Sequence, residues 1–199
     1  MRNIARRIIL VLGLHLAERL TGLSSKSQRE PKETSMSESA DPQVRLTEVA
    51  RIAVALEAQT RCPAQLLIAQ WAVESQWGAK PAGNANFFVI KKNDRAEKCC
   101  TVTTREVIDG KSVVQNLEFA DYDSLEDSCR DYAWLITHGA PYRTAWARYQ
   151  SDRDLHALIA AVAGTYATDP GYAHLAVTIA GQTNVAWAIA TARQGIANA

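Results

Sequence analysis

The sequence predicts a mainly helical (α+β) domain that carries one small β-hairpin. Two observations lead to this fold class. Apolar residues recur at helical spacing along most of the chain from Val44 onward, and one segment, residues 100–119, is rich in Thr and Val around an Asp-Gly pair. With 47% hydrophobic residues, a chain of 199 residues has enough apolar side chains to form the core of one domain of ordinary size.

The first 42 residues are predicted to lie outside this domain, which is expected to occupy residues 43–199. Residues 1–23 contain three arginines before an apolar run that is too short to span a bilayer as a stable helix, so they resemble a signal peptide. Polar residues interrupt the run, and translation from Met36 is the alternative. Residues 24–42 are predicted to be a disordered linker, because their Ser, Lys, Glu and Pro bury too little apolar surface to offset the entropy of ordering.

Two helices are expected to open the domain. Apolar residues recur every three or four positions over residues 44–60, which predicts an amphipathic helix, and Pro63 suits the first turn of the next one. Over residues 64–78 apolar side chains cover nearly the whole circumference of a helix. We therefore expect this second helix to be buried on most sides and to be the element around which the chain packs.

Glu74 lies near the end of this core helix. At helical spacing Trp71 and Trp77 are its neighbours at i−3 and i+3, which places the carboxyl group beside two large aromatic rings. Burial beside apolar rings disfavours the charged form and raises the pKa of a glutamate, as it does for the acids of glycosidases. Glu74 is thus a candidate general acid. The alternative is a solvated, polar end of the helix, since glutamate is seldom fully buried.

The hairpin and the later helices are predicted from local signals. Residues 80–86 have the composition of a loop, and the stretches 100–107 and 112–119 flank the Asp109-Gly110 pair that favours a tight β-turn. Helices resume at Ser124, where Ser-x-x-Asp begins like a capping box. The expected helical stretches are then residues 124–137, 142–149, 154–166, 171–180 and 183–196.

Composition argues against several kinds of partner and site. The net charge of +1 and the absence of a basic stripe argue against nucleic-acid binding. The four cysteines form no Cys-x-x-Cys pair and have no matching His cluster, so we expect no metal, no cofactor and no disulfide scaffold. One bridge, from Cys62 or Cys129 to the Cys99-Cys100 pair, is the alternative to four reduced thiols.

Three motifs resemble those of a known enzyme family. They are Val-Glu-Ser-Gln-Trp-Gly at 73–78, Asn-Phe-Phe-Val-Ile-Lys at 86–91 and Tyr-Ala-Thr-Asp-Pro-Gly-Tyr-Ala at 166–173. In this order they resemble the signatures of the bacterial endo-β-N-acetylglucosaminidases, glycoside hydrolase family 73, over about residues 46–179. The resemblance implies a lysozyme-like helical domain with a small β-hairpin lobe. It also implies a peptidoglycan hydrolase that cleaves the β-1,4 bond between N-acetylglucosamine and N-acetylmuramic acid, with Glu74 as general acid.

The resemblance implies a second catalytic carboxylate in the hairpin. In the family it lies in a Thr-Thr-x-Glu run before a turn, and Glu106 matches that pattern. Asp109 and Glu118 are nearby alternatives, and an ordinary exposed strand charge is the other interpretation of Glu106. Glu106 would serve as the base of an inverting attack, or the N-acetyl group of the substrate would act as the nucleophile.

The resemblance implies that a tyrosine of the 166–173 segment lines the cleft near Glu74, and Tyr166 is favoured over Tyr172 for the catalytic role. Either could instead be a core tyrosine whose hydroxyl is satisfied. The residues expected to bind substrate or shape the cleft are Trp77, Asn86, Phe88, Lys91 and Tyr172.

Two positions depart from the family pattern. Gln76 stands where a small residue is common, and Val89 stands where Gly is usual. Gly suits a positive φ or a close approach of the backbone to substrate, and a β-branched Val resists both. We therefore expect a narrower cleft.

Two other functions are open at this stage. A lytic transglycosylase or muramidase on the same fold would need only one acid, and Val89 suggests a catalytically impaired module that binds glycan or assists assembly. The expected partners are peptidoglycan glycan strands and an envelope or flagellar protein, and the protein is expected to be a monomer. It would act in the cell envelope, in the periplasm or after secretion if residues 1–23 are an export signal, and otherwise as a phage-type enzyme or one held in the cytoplasm until release.

Overall fold

The computed structural model describes residues 41–108, 111–167 and 170–198. Seven α-helices and one antiparallel hairpin make up these residues, which confirms the predicted mainly helical class with one small β-lobe. The signal-like segment and most of the predicted linker fall on residues 1–40, outside the described ranges. The elements are α1 (Pro42–Thr60), α2 (Ala64–Glu74), β1 (Lys98–Ile108), β2 (Lys111–Asp121), α3 (Leu125–His138), a 3-10 helix (Ala140–Tyr142), α4 (Arg143–Asp152), α5 (Leu155–Tyr166), α6 (Pro170–Ala180) and α7 (Thr183–Ala197).

Side-chain caps fix where three of the helices begin. Asp41 accepts the backbone N–H of Gln43 at the start of α1, at 2.8 Å, and Asp154 caps α5 in the same way. The predicted cap at Ser124 is confirmed, because its hydroxyl accepts the backbone N–H of Asp127 at 3.1 Å. Within the described residues no single helix meets the length and hydropathy of a membrane span, and α6 and α7 reach them only as a pair bent by 49°.

Helix α2 is the centre of the core, as its sequence predicts. It contacts α1, α3, α5, α6 and α7. Because apolar side chains surround it, neighbouring helices can pack on every side of it, and each burial of a large apolar side chain contributes about 1.5–3 kcal/mol. Its fully buried apolar residues are Leu66, Leu67, Ile68, Ala69 and Trp71.

The core helix is shorter than predicted, since it ends at Glu74 rather than near Gly78. Ser75 ends it: the hydroxyl donates to the carbonyl of Trp71 at 2.6 Å and accepts the N–H of Gly78 at 2.9 Å. Residues 76–78 then take left-handed φ values of 52°, 58° and 76°. A Cβ on Gly78 would lie 2.6 Å from a ring carbon of Trp71, so glycine is required for the turn to fold back on α2.

The hairpin is two residues longer at its base than predicted. Its register runs from Lys98 opposite Asp121 to Ile108 opposite Lys111, and the Asp-Gly turn lies outside the described residues. Hydrogen bonds between described residues tie this base to the helical body: the N–H of Ala120 donates to the carbonyl of Ile90 at 3.0 Å, and the hydroxyl of Tyr122 donates to Asp131 of α3 at 2.6 Å. The lobe therefore extends from the body as a two-stranded arm.

The cysteines are free thiols. Cys62 and Cys129 are buried in the helical body, whereas Cys99 and Cys100 lie on β1. The alternative of a bridge between these two groups is not formed.

Candidate active site around Glu74

Glu74 is the last residue of α2 and is buried, with 6% of its surface exposed. The alternative of a solvated helix end is therefore wrong. The expected i+3 relation to Trp77 is also wrong, because the helix has ended and Trp77 lies in the left-handed turn. The Trp77 ring instead packs edge-to-face on Trp71, with centroids 6.1 Å apart.

Tyr172 of α6 is the hydrogen-bond partner of Glu74. Its hydroxyl donates to Oε1 of the carboxylate. Burial raises the pKa of Glu74 to about 7, and the Tyr172 hydrogen bond acts in the opposite direction because it stabilises the ionised form. A carboxyl group with this pKa holds its proton in a large share of the molecules at neutral pH, as a general acid must.

A cluster of four tyrosines lies around this carboxyl group. Burial, and then the negative charge of Glu74, raise the pKa of the Tyr142 hydroxyl to about 12. The same two causes contribute for the hydroxyls of Tyr132, Tyr166 and Tyr172, each of which has a pKa well above the usual value. The Tyr166 ring joins the cluster, with its centroid 6.3 Å from Tyr132 and 6.4 Å from Tyr142. Tyr132 and Tyr142 were not predicted from the sequence, because nothing in their spacing connects them to Glu74.

The two tyrosines of the 166–173 segment have different partners. Tyr172 contacts Glu74, whereas the hydroxyl of Tyr166 donates to the backbone carbonyl of Phe88. The preference for Tyr166 as the tyrosine at the acid is therefore reversed. Tyr166 braces the loop that contains Phe88 from the α5 side.

Asn86 and Phe88 support this loop from behind. Asn86 is fully buried: its amide nitrogen donates to the carbonyls of Ile90 and Ala120, both at 2.8 Å, and its oxygen accepts the N–H of Ile90 at 3.0 Å. Phe88 is also fully buried and stacks on Tyr132, with centroids 4.4 Å apart. The expectation that these two side chains contact substrate is thus corrected, because both are occupied within the fold. Both side chains instead hold the loop of residues 86–90 in place.

Both departures from the family pattern lie at left-handed backbone positions. Val89 has a φ of 53° and Gln76 a φ of 52°. A β-branched residue in this region stores about 1–3 kcal/mol of strain. The Val89 conformation is enforced by its neighbours, since Tyr166 binds the carbonyl of Phe88 and Asn86 binds both backbone groups of Ile90.

The remaining predicted residues lie further out. Lys91 is exposed beside the hairpin base, where its backbone forms an isolated antiparallel β-bridge with Phe119. Trp77 lines a cavity of about 350 Å³ between α1 and α7. Glu106 lies in β1 opposite Val113, and its side chain is outside the described part of the structure. Its pairing with Glu74 stays a prediction. The alternative Glu118 is exposed and forms an ion pair with Lys92 at 3.0 Å.

A larger cavity of about 410 Å³ lies at the hairpin base and is lined by Arg95, Asp131 and Trp134, among others. Asp131 is fully engaged there, since it accepts hydrogen bonds from Tyr122 and Arg95 at 2.6 and 2.5 Å. Among the residues that the structure describes, no group of three or more His, Cys, Asp or Glu side chains could hold a metal ion.

Comparison with known proteins identifies the family. A family model described as mannosyl-glycoprotein endo-beta-N-acetylglucosaminidase matches residues 50–185, a range that contains all three motifs and the whole site. The chain is 38% identical over 117 residues to the peptidoglycan hydrolase FlgJ of Vibrio parahaemolyticus, and 34% identical over 119 residues to a probable N-acetylmuramidase of Lactococcus lactis. Each alignment covers 54% of this chain, but only 36% and 26% of the two relatives, so the chain spans about a third or less of their length.

Solved structures show the same architecture. A peptidoglycan hydrolase mutant from Sphingomonas sp. A1 is 28% identical with a TM-score of 0.59, covering 73% of this chain and 97% of that one. The catalytic domain of the autolysin Auto from Listeria monocytogenes is 25% identical with a TM-score of 0.63, covering 80% of this chain and 90% of that one. The predicted fold, a helical body with a small β-lobe, is thus confirmed by similarity as well as by the elements themselves.

Proposed function

Because the chain belongs to the mannosyl-glycoprotein endo-beta-N-acetylglucosaminidase family, which is glycoside hydrolase family 73, we propose that it hydrolyses peptidoglycan with Glu74 as its general acid. The bond cleaved is the β-1,4 linkage between N-acetylglucosamine and N-acetylmuramic acid. The observation that carries this proposal is a buried carboxyl group whose pKa is about 7, inside the matched range and in contact with Tyr172. Cleavage of a glycosidic bond requires such a proton donor beside the leaving oxygen.

Tyr172 supports this role by orienting the acid. A tyrosine hydroxyl has one proton, and here it points at Oε1 of Glu74. In the acid form the carboxyl proton therefore belongs on Oε2, since a second proton on Oε1 would face the tyrosine proton. Oε2 is then the atom that delivers the proton to the leaving sugar.

Cleavage of the glycosidic bond leaves a cationic sugar, which must be stabilised or captured by a nucleophile. Glu106 is proposed as the base that activates water for an inverting attack, with the N-acetyl group of the substrate as the other candidate nucleophile. Glu106 is eight residues along β1 from Lys98, which corresponds to roughly 26 Å of strand. Whether Glu106 reaches the sugar therefore depends on the orientation of the whole hairpin arm. When the arm points away from Glu74, the acetamide of the substrate is the favoured nucleophile.

A muramidase outcome is the second candidate. It is favoured by the Lactococcus lactis relative, which is named a probable N-acetylmuramidase. Both reactions use the same acid, and they differ in which sugar carries the new reducing end. The similarity to FlgJ and to an autolysin of Enterococcus faecalis supports the cell wall as the place of action, with peptidoglycan strands and an envelope or flagellar protein as partners.

The direct test is turnover of purified sacculi by the full chain and by Glu74→Gln. The amide keeps the shape of the side chain but cannot deliver a proton, so turnover should fall by roughly two to four powers of ten. Glu126→Gln is the matched control, because this exposed glutamate of α3 pairs with Arg130 at the surface and should leave turnover unchanged. Parental turnover by Glu74→Gln would reject Glu74 as the acid. Glycan binding without turnover by the parent chain would instead support the binding-module alternative.

A further inference from the structure

Gln70 is a fully buried polar residue for which the sequence predicted no role. It lies on α2 one turn before Glu74, so both side chains project from the same face of the helix. Its Oε1 lies 3.4 Å from the hydroxyl oxygen of Tyr172. Its Nε2 is buried and has no hydrogen-bond partner among the described residues.

The hydrogen count at Tyr172 conflicts with this arrangement. The hydroxyl has one proton, which it donates to Glu74, and a carboxylate is a stronger acceptor than an amide oxygen. Two acceptor oxygens, of Tyr172 and Gln70, would then face each other while a buried N–H donor of the same amide stays unsatisfied. An unsatisfied buried donor is a costly state.

Half a turn of the amide about its last bond, which exchanges two atoms of nearly equal size, replaces the two facing acceptors by a donor and an acceptor and gives Nε2 a partner. The amide oxygen is then the unpaired atom, and a buried unpaired carbonyl oxygen occurs more often in proteins than a buried unpaired N–H. We infer that Gln70 is a positioning residue whose Nε2 donates to the hydroxyl of Tyr172, which in turn donates to Oε1 of Glu74. The result is a one-directional chain of donors from Gln70 through Tyr172 to the acid. This inference deepens the proposed function and rests on Glu74 being the acid.

This chain of hydrogen-bond donors affects the ionisation of Glu74 in two ways. It keeps the Tyr172 hydroxyl proton directed at Glu74, and it strengthens that hydrogen bond, since hydrogen bonds in series polarise one another by about 10–30% each. Both effects favour the ionised form of Glu74. Among the described residues, the other titratable groups that interact with the charge of Glu74 are the hydroxyls of Tyr132 on α3, Tyr142, and Tyr166 on α5. They are neutral over the assay range because burial raises the pKa of each.

A double-mutant cycle tests this chain of donors. A general acid loses activity as pH rises through its pKa, so removing a donor to Glu74 should move the basic limb of kcat/KM to higher pH. We expect Tyr172→Phe to move it by about one to two pH units, the value of a hydrogen bond to a charged group. We expect Gln70→Met to move it by roughly a few tenths of a unit in the parent, and not at all in the Tyr172→Phe background.

Gln65→Met is the matched control, because Gln65 lies on the same helix but is partly exposed, and it should leave the limb in place. Equal shifts for Gln70→Met in both backgrounds, or no shift in the parent, would overturn the inference. The carboxyl carbon resonance of Glu74, titrated by NMR, gives the same comparison without turnover. A failure of Glu74 as the acid is therefore distinguishable from a failure of Gln70 as its positioning residue.

A second measurement needs no variant that must fold. In the unmodified chain, NMR cross-relaxation from the Gln70 side-chain amide protons to the Tyr172 ring protons next to the hydroxyl reports which end of the amide faces Tyr172. Strong cross-peaks support the donor orientation. Their absence, with the amide protons close to other side chains instead, would overturn it.

Discussion

Replacing Val89 by Gly and by Ala separates backbone strain from packing. Val89 is 8% exposed and has a φ of 53°, so both substitutions lose buried apolar surface, but only Gly escapes the left-handed strain. That strain is about 1–2 kcal/mol for an L-residue, and the extra flexibility of Gly in the unfolded chain offsets about 0.5–1 kcal/mol of it. We therefore expect Val89→Gly to be more stable than Val89→Ala by about 0.5–1 kcal/mol, although Gly is the smaller residue.

The assay is urea unfolding with equal m-values across the series. Val54 is the matched control, because it is 7% exposed and lies in the interior of α1. There the order should reverse, with Gly less stable than Ala by about 1 kcal/mol. If Gly is also the less stable residue at position 89, by a similar amount, the strain at Val89 is not real. If the strain is real and the side chain narrows the cleft, Val89→Gly should also turn over glycan faster than the parent.

Three further outcomes are expected. Folding raises the pKa of Glu74 from 4.5 to about 7, so between these pH values the native state holds a proton that the unfolded chain has lost. The contribution of this proton to the free energy of unfolding is full below about pH 4.5 and is lost as pH rises through 7. Glu74→Gln should accordingly be more stable than the parent at pH 8, by on the order of 3 kcal/mol in urea unfolding, and equal stability there would show that the carboxylate is solvated. Deleting residues 1–40 should leave the melting curve and the turnover of the remaining chain nearly unchanged, and a large loss of either would show that the segment packs on the domain. Glu106→Gln should slow turnover less than Glu74→Gln does if the substrate acetamide is the nucleophile, and an equal loss would assign the second step to Glu106.

The fold and the place of Glu74 at the end of the core helix were accessible from sequence because their signals are local. The apolar circumference of residues 64–74 predicts a buried helix, and a glutamate at its end is then carried into the core. The Asp-Gly pair between Thr- and Val-rich stretches predicts the hairpin for the same reason. The early end of α2 was missed because it depends on contacts that apolar spacing does not predict, namely the two hydrogen bonds of the Ser75 hydroxyl and the closeness of Gly78 to the ring of Trp71.

The surroundings of Glu74 were only partly accessible because they depend on how helices face each other. Tyr166 and Tyr172 lie on either side of one turn, and sequence alone does not fix which hydroxyl reaches the acid. Asn86 matches a family motif whether its amide faces substrate or backbone, and the structure shows that it faces backbone. The contribution of Gln70 follows from counting the protons around Tyr172, which requires its position relative to α6.

The most direct test of the central claim is mass analysis of the borohydride-reduced muropeptides that the full chain releases from purified sacculi. Hydrolysis of the proposed bond predicts fragments with reduced N-acetylglucosamine at the new end, and their loss in Glu74→Gln. Reduced N-acetylmuramic acid would instead make the enzyme a muramidase, and 1,6-anhydro ends would make it a lytic transglycosylase. Either product, or parental release by Glu74→Gln, would contradict the account given for this site.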